Sequence, residues 1–464
     1  LSLSCWISVT TNSWQWARVT DLLLDANWLA RFASFSRLYV GFSGGLDSTV
    51  LLHRLGHEPS LVGKLTAVHV HHGLSQFADD WQKHCQVICA ENDIPLIVRQ
   101  VHLNPKANVE EQARNARFAV FSSLVCASDA LVLAHHADDQ AETVLLQLMR
   151  GAGVDGLAGM PAIKAWSNAV ILRPLLAYSR ETLEAYARFH CLNWIEDDSN
   201  QSLIFSRNYL RHQVMPLLRD RWPGVVGNLA RTALHCQQAK RNLDALAVID
   251  AQGVSLTEPF LSLDALHSFA YDRVANILRN WIINNQLRLP STEQFKQLMT
   301  QVLEASVDSQ LSVAWDGVAL RRYQNTLYLL RNVEKSKQPG LMDDAFSKSS
   351  VRFTWCDFPD VLELANGAGV LTASLAEKGM YVPKDSVVEV GFRQGGERIL
   401  WRGQHKGRKK LLQQWQVLPW ERDRIPLIWI DNKLAAVVGF AISDPYYGEN
   451  SNNLYNIEHL CQSH

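Results

Sequence analysis

At residues 38–48 the run LYVGF passes without a spacer into SGGLDS and then into helical spacing, and few architectures accommodate that junction. Five strand-forming residues, two glycines and an Asp-Ser pair describe a strand that turns sharply and opens a helix. Gly44 and Gly45 lack a Cβ, so backbone amides can approach a ligand closely, and amides at a helix start carry partial positive charge. Ser43 and Ser48 bring hydroxyl donors to the same place, with Leu46 between them. Such a turn suits a polyphosphate. Phosphate alone would repel Asp47, so its presence implies a divalent cation, Mg2+, between the two. The spacing and lysine of a Walker A loop are missing, which argues against γ-phosphoryl transfer.

The flanking sequence places this turn in a parallel α/β domain. LTAVHV (65–70), LIVRQV (96–101) and ALVLAH (130–135) read as further strands. Helical spacing fills the intervals at 47–55, 77–90, 109–126 and 140–149. Ligands of such sheets sit beyond the carboxyl ends of the strands, which directs attention to the loops after Phe42, Val70 and His135. Residues 217–331 read as predominantly helical, 332–350 as a polar linker, and 351–464 as a small β-rich domain. The expected order is therefore an extension (1–36), an α/β catalytic domain (37–216), a helical substrate-binding domain, the linker and a C-terminal domain. The chain has 464 residues, enough for several cores. It shows no apolar run of membrane-spanning length and no basic segment before its first apolar residues, so a cytoplasmic protein without membrane association is expected. Its eight cysteines form no C-x-x-C pair, and Cys85 and Cys89, four apart in a helical stretch, read as a packed face.

The S-G-G-x-D-S loop resembles the PP-loop of the ATP pyrophosphatases, and further segments narrow the resemblance to the tRNA(Ile)-lysidine synthetase family. These are VHVHHGL (68–74), EEQARNARF (110–118), HHADDQAET (135–143) with MRGAGVDGL (149–157), RPLL (173–176), WIEDDSN (194–200) and FSRNYLR (205–211). FRQGGERI (392–399) and KKLLQQWQVLPWERDRIPLI (409–428) resemble the family's C-terminal domain. The resemblance implies an ATP- and Mg2+-dependent ligase. The wobble cytidine of tRNA(Ile), carrying a CAU anticodon, is adenylated on O2 with release of pyrophosphate, and the side-chain amine of L-lysine then displaces AMP. No obligate protein partner is implied.

The chemistry assigns provisional roles. Ser43, Gly44, Gly45, Leu46, Asp47 and Ser48 form the nucleotide cradle, and Asp47 with Asp138 would hold Mg2+. The ε-amine of lysine, with an ordinary pKa near ~10.4, needs an acceptor before it attacks. Asp138 and Glu142, four apart on one helical face, are the expected holders of lysine or of a second coordination position, with Asp139 pointing elsewhere. The resemblance favours Arg114 over its neighbour Arg117 for a phosphate. The adjacent His135 and His136 lack a third ligand at zinc spacing, and His69, His71 and His72 receive no role. Although the net charge is -1, residues 392–424 hold nine basic side chains against three acidic ones, interleaved with Trp401, Trp415 and Trp420. That patch is the expected RNA grip, through phosphate contact and base stacking. The rival readings are a PP-loop tRNA thiolase, which would need reactive cysteines, and a non-catalytic RNA-binding protein with a relic nucleotide fold.

Overall fold

A computed structural model describes residues 23–73, 77–101, 109–166, 169–196, 203–264, 266, 268–304, 312–331, 352–364, 369–393, 395–449 and 453–460. The expected linker at 332–350, and Cys5 and Cys461, lie outside these residues. The chain separates into two compact units, Leu1–Leu243 and Asp244–His464. The division falls inside the helix Val225–Asp250 rather than at the expected 216/217 border. Among the described residues no helix is long and apolar enough to cross a membrane.

The first unit opens with α1 (Ala26–Ala33), whose N-terminus is capped by Asp25 accepting from the Trp28 amide at 2.9 Å. Leu23, Leu24 and Phe32 are buried in the core shared with the sheet, so the described part of the expected extension belongs to this unit. The sheet contains β1 (Leu38–Gly41), β2 (Leu65–His71), β3 (Leu96–Gln100), β4 (Ala130–Val132), β5 (Ile163–Trp166) and β6 (Ala169–Leu172), in the order β3-β2-β1-β4-β6-β5. Five strands are parallel, and β5 runs antiparallel to β6. Helices α2 (Leu46–Gly56), α3 (Ala78–Glu91), α4 (Val109–Leu124), α5 (Ala137–Met149) and α6 (Arg180–Phe189) accompany the sheet.

Alternation along β1 builds two cores. Leu38, Val40 and Phe42 join one cluster, and Tyr39 joins the other with Val68, Phe121, Leu131 and Ile171. Both faces are covered, as a parallel sheet requires. From β1 the chain passes to β2 and β3 on one side and then returns to β4 and β6 on the other. The topological switch point therefore lies between the carboxyl ends of β1 and β4, where a crevice opens. Two features differ from the sequence reading. Strand β4 ends at Val132 and α5 begins at Ala137, three residues before the expected helix start. Strands β5 and β6 were not anticipated, because they follow one another antiparallel without the intervening helix that marks the other strands.

The loop after β1 is tightly determined. Gly44 has φ +81°, and a Cβ there would meet Cys85 Sγ at 3.0 Å and Ile195 Cδ1 at 3.1 Å. Gly44 O accepts from the Ile195 amide at 2.9 Å, and Gly45 bridges to Ile195 in parallel. The far end of α2 is fastened to α6, where His53 Nδ1 lies 3.0 Å from the Tyr186 hydroxyl. Burial, together with His57, His190 and Arg54 nearby, pushes the His53 pKa down to about 4.

The second unit joins helices and sheets. Helices α7 (Tyr271–Asn284) and α8 (Thr292–Glu304) accompany a four-stranded sheet of β7 (Phe260–Ser262), β8 (Ser312–Trp315), β9 (Val318–Tyr323) and β10 (Thr326–Leu330). This sheet adds to the helices expected at 217–331, and it was not anticipated because its strands are short and joined by tight turns at Asp316–Gly317 and Gln324–Asn325. Trp281 is fully buried between these elements and donates its indole N–H to Glu258 O at 2.7 Å. The remainder is β-rich, with a five-stranded sheet around Val388–Gly391 and Leu427–Ile430, and a second sheet built on the long strand Val370–Tyr381.

Two outcomes follow for the fold. Gly44→Ala forces a left-handed residue to carry a Cβ in a filled space, and should destabilise the first unit by about 1–3 kcal/mol in denaturant unfolding. His53 stays neutral when folded but protonates in the unfolded chain, so its contribution to stability is intact above pH ~6.5 and is lost as pH falls towards about 4. His53→Gln should flatten that acid limb in melting experiments.

Candidate active site

The SGGLDS loop folds around its own hydroxyls. Ser48 Oγ receives the Ser43 amide at 3.3 Å, lies 3.1 Å from Ser43 Oγ and donates to Gly45 O at 3.0 Å. Ser43 Oγ also accepts from the Gly45 amide at 3.3 Å. Gly45 is the N-cap of α2 and supplies no side-chain acceptor, so the helix presents its first-turn amides to the crevice. This is an anion-binding geometry. His69 holds the base of the loop from below, with Nδ1 3.0 Å from Phe42 O.

Across the crevice, the first turn of α5 brings Asp138, Asp139 and Glu142 into the protein, all nine-tenths or more buried. Two of them sit in the first turn, where the helix dipole favours negative charge, but burial of three carboxylates still requires cations. His136, at the N-cap, supplies one. Its Nε2 lies 3.5 Å from Asp47 Oδ2 and 3.5 Å from Asp139 Oδ2, and Nδ1 lies 3.4 Å from Asp138 Oδ2. These are ion pairs rather than aligned hydrogen bonds. Burial alone would depress the imidazole, but Asp138, Asp47 and Asp139 outweigh it and lift its pKa to about 10. His136 is therefore a cation joining the two walls of the crevice.

Arg180 on α6 lies 3.9 Å from Asp47, and three more cations come from one later helical stretch. Arg207 Nε donates to Glu142 at 2.7 Å and its Nη2 to Asp139 at 2.9 Å. Arg211 Nε donates to Glu142 at 2.7 Å, and its Nη2 to Glu142 at 3.0 Å and to Asp139 at 3.2 Å. Arg219 pairs with Asp138, which also accepts the backbone amide of Arg180 at 2.8 Å. Burial acts against ionisation of Asp139, yet His136, Arg207 and His135 hold its pKa down at about 2. Asp138 is likewise held below the usual carboxylate range, with burial opposed by His136 and the Arg180 amide.

The stretch bearing these arginines is helical from Ser206 to Arg221 but has a π-helical segment at Leu210–Val214. In an uninterrupted α-helix, residue 219 would lie roughly 120° around the axis from residue 207. Absorbing one extra residue in a π turn reduces that to roughly 20°. The π segment thus turns Arg219 towards the same acidic helix as Arg207 and Arg211.

The expected pairing on α5 is corrected in one respect. Glu142 shares its partners with Asp139, three residues away, while Asp138 faces Arg219 and Arg180. Positions three and four apart are both neighbours on a helix, and the arginines decide between them. Arg207, Arg211 and Arg219 were not among the anticipated site residues. The signal for Arg207 and Arg211 was their spacing of four in FSRNYLR, which needs opposing acids to acquire meaning, and Arg219 lies outside that segment. Arg114 lies on α4 with its guanidinium 5.4 Å above the Phe118 ring, outside the acidic cluster.

The donor set also bears on Mg2+. Asp47 Oδ1 is buried and accepts no hydrogen bond, so it has a coordination position to offer. Asp138 has both oxygens engaged, by Arg219 and by the Arg180 amide. Among the described residues no group of three or more His, Cys, Asp or Glu side chains is arranged to hold a metal alone. The fit is that of a cation shared between Asp47 and substrate phosphates.

In the second unit the basic patch divides. Arg408 is buried and lies 3.6 Å from Glu397 and 3.7 Å from Asp423, and Arg393 pairs with Asp423 at 2.8 Å. Arg398, Arg402, Lys409, Lys410 and Arg424 are exposed. Arg402 and Lys406 lie over the Trp401 ring at 4.5 and 4.8 Å, and Trp401 meets Trp415 edge to face. Trp420, expected among the stacking residues, instead packs on Tyr328 and Tyr323 beneath Arg321.

Comparison with known proteins agrees with this organisation. Family signatures match a PP-loop domain at residues 18–218, a TilS substrate binding domain at 261–328 and a TilS substrate C-terminal domain at 388–459. The tRNA(Ile)-lysidine synthase of Legionella pneumophila (strain Philadelphia 1) is 45% identical over 95% of this chain and 99% of its own length. That of Coxiella burnetii is 37% identical over 93% of this chain and 94% of its own, and that of Serratia proteamaculans 39% identical over 91% and 95%. With identity at this level sustained from end to end, and with the phosphate cradle and acidic helix meeting at the switch point, the chain belongs to the tRNA(Ile)-lysidine synthase family.

Proposed function

We propose that the protein is a cytoplasmic, ATP-dependent ligase that joins L-lysine to C2 of the wobble cytidine in a tRNA(Ile) bearing a CAU anticodon. The observation that carries this reading is the meeting of an open, hydroxyl-lined phosphate loop with a buried acidic helix across a single crevice. The loop at Ser43–Ser48 receives the β- and γ-phosphates as the leaving group, so the α-phosphorus is left facing the base. Cytidine O2 attacks there, the bond to pyrophosphate breaks, and C2 becomes electrophilic. The ε-amine of lysine then adds to C2 and AMP departs with the former O2. Mg2+, held by Asp47 together with the phosphates, would neutralise charge on the triphosphate.

The carboxylates take the lysine side of the reaction. Glu142 would receive the lysine ammonium in exchange for one of its guanidinium partners, with Asp138 and Asp139 keeping the pocket negative. His136 holds Asp47 and Asp138 at a fixed separation. Arg114, on α4, would contact a substrate phosphate. The exposed cations at Arg398, Arg402, Lys409, Lys410 and Arg424 would grip the tRNA body through its phosphates, which supply affinity but not base choice. The cytidine must therefore be read within the first unit.

The lack of a C-x-x-C pair and the burial of the thiol beside the phosphate loop speak against a thiolase. Burial pushes the thiols of Cys85 and Cys89 up to about 12, so neither ionises readily. A relic binding fold is disfavoured by the intact loop and by the unpartnered oxygen of Asp47.

Incubation with ATP, labelled lysine and a set of tRNAs tests the reading directly. Label should enter tRNA(Ile) with equimolar AMP, and formation of ADP would refute it. Asp47→Asn should lower turnover about a hundredfold or more while leaving tRNA affinity nearly unchanged. Reversing charge at Lys409 and Lys410 should weaken tRNA binding and reduce its salt dependence, read as a shallower slope of log affinity against log salt.

A further inference from the structure

The cations that neutralise the acidic helix are not the only ones at this end of the sheet. A second group stands near it, and among the described residues no acid pairs with it. Arg173 follows β6, and its side chain is only 4% exposed. Its Nη1 donates to Pro161 O at 2.9 Å and its backbone amide to Ala162 O at 2.8 Å, which fixes the side chain. Its buried Nε has no partner. Lys164 lies on the exposed edge strand β5, two residues beyond Ala162. Arg114 reaches the same edge from α4, because its guanidinium covers Phe118, whose ring meets Trp166 of β5 edge to face at 5.7 Å. Among the described residues, none of Arg114, Lys164 and Arg173 forms an ion pair. The two arginines act on their neighbours. Burial and Arg114 bring the Arg173 guanidinium down to about 10, and partial desolvation with Arg173 and Arg114 holds the Lys164 ammonium below the ordinary lysine range.

A buried guanidinium with a free N–H and only like charges around it is unfavourable unless an anion completes the arrangement. We infer that Arg173, Lys164 and Arg114 form a phosphate subsite for a backbone phosphodiester of the RNA substrate, which anchors the strand beside the nucleotide that enters the crevice. This rests on the proposed reading that the substrate is tRNA. The location favours an RNA phosphate over a phosphate of ATP. The cradle for the β- and γ-phosphates follows β1, whereas Arg173 follows β6, two strands away and so about 10 Å across the sheet. Guanidinium is suited to this task because it binds phosphate oxygens bidentately, and with Nη1 engaged by Pro161 O the unpartnered Nε is left for an acceptor. The subsite would set where along the anticodon loop the strand is held, and hence which base reaches the α-phosphorus.

The test uses the full chain with Lys164→Gln and Arg173→Gln, measuring tRNA dissociation constants across a salt series and KM for ATP. Arg173→Gln should weaken tRNA binding roughly tenfold or more, and Lys164→Gln a few-fold. Each should reduce the slope of log affinity against log salt by about 0.7–0.9. An isolated anticodon stem-loop should show the same losses, and KM for ATP should stay within about twofold. Lys164 is on an exposed strand, so its variant decides the matter if Arg173→Gln proves poorly folded by thermal melting. Unchanged affinity and slope in folded variants would overturn the subsite. So would a rise in KM for ATP with tRNA binding intact, which would assign the cluster to the nucleotide. If these losses appear but no lysine enters the RNA, the reading of the reaction fails while the phosphate subsite stands.

Discussion

Everything at the crevice depends on burying carboxylates at the start of α5 without leaving their charge unanswered. Four acids, Asp47, Asp138, Asp139 and Glu142, meet one imidazolium, three arginines drawn from the helical stretch 206–221, and Arg180, which lies 3.9 Å from Asp47. Removing one member of such a network leaves an uncompensated buried charge, which costs far more than the net value of an exposed pair. The network therefore does two jobs. It fastens the later helical stretch onto the α/β sheet, and it stores negative charge beside a loop built to hold phosphate. Opposite electrostatic demands are met on two sides of one imidazole, because His136 is close to both walls.

The same contrast in charge separates the parts of the first unit. The PP-loop is lined by amides and hydroxyls, which bind an anion without a formal charge of their own. The acidic helix is formally charged but balanced. The edge bearing Arg173 is formally charged and unbalanced. Three neighbouring environments thus differ in kind, and each suits a different piece of a reaction with three substrates. The second unit adds exposed basic side chains, with Trp401 shielded by Arg402 and Lys406 rather than standing open.

How far the sequence disclosed this follows from the range of each interaction. The PP-loop was legible because its chemistry is local: strand, glycines, hydroxyls and helix start lie within eleven residues. The sheet was legible where strands alternate with helical spacing, and lost at β5 and β6, which pair antiparallel with no helix between them. Which acid on α5 pairs with which could not be read from α5 alone, since the answer is held by arginines 65 to 81 residues away. The division of the basic patch was hidden for the same reason. Arg408 and Lys409 are adjacent in the sequence, yet one is buried against Glu397 and the other faces solvent. The sheet at 260–330 escaped because its strands are short and its helices more strongly periodic.

The π-helical segment at 210–214 makes the chain sensitive to length in a way that its side chains do not reveal. One surplus residue is wound into that turn, and everything beyond it is rotated accordingly. Arg211 apart, exchanging residues there should be comparatively harmless, whereas losing a single one would unwind the surplus and swing Arg219 away from Asp138. Around Arg211 the segment works as a spacer whose information lies in its count, so alignments of relatives should tolerate varied letters at its other positions and almost no gaps.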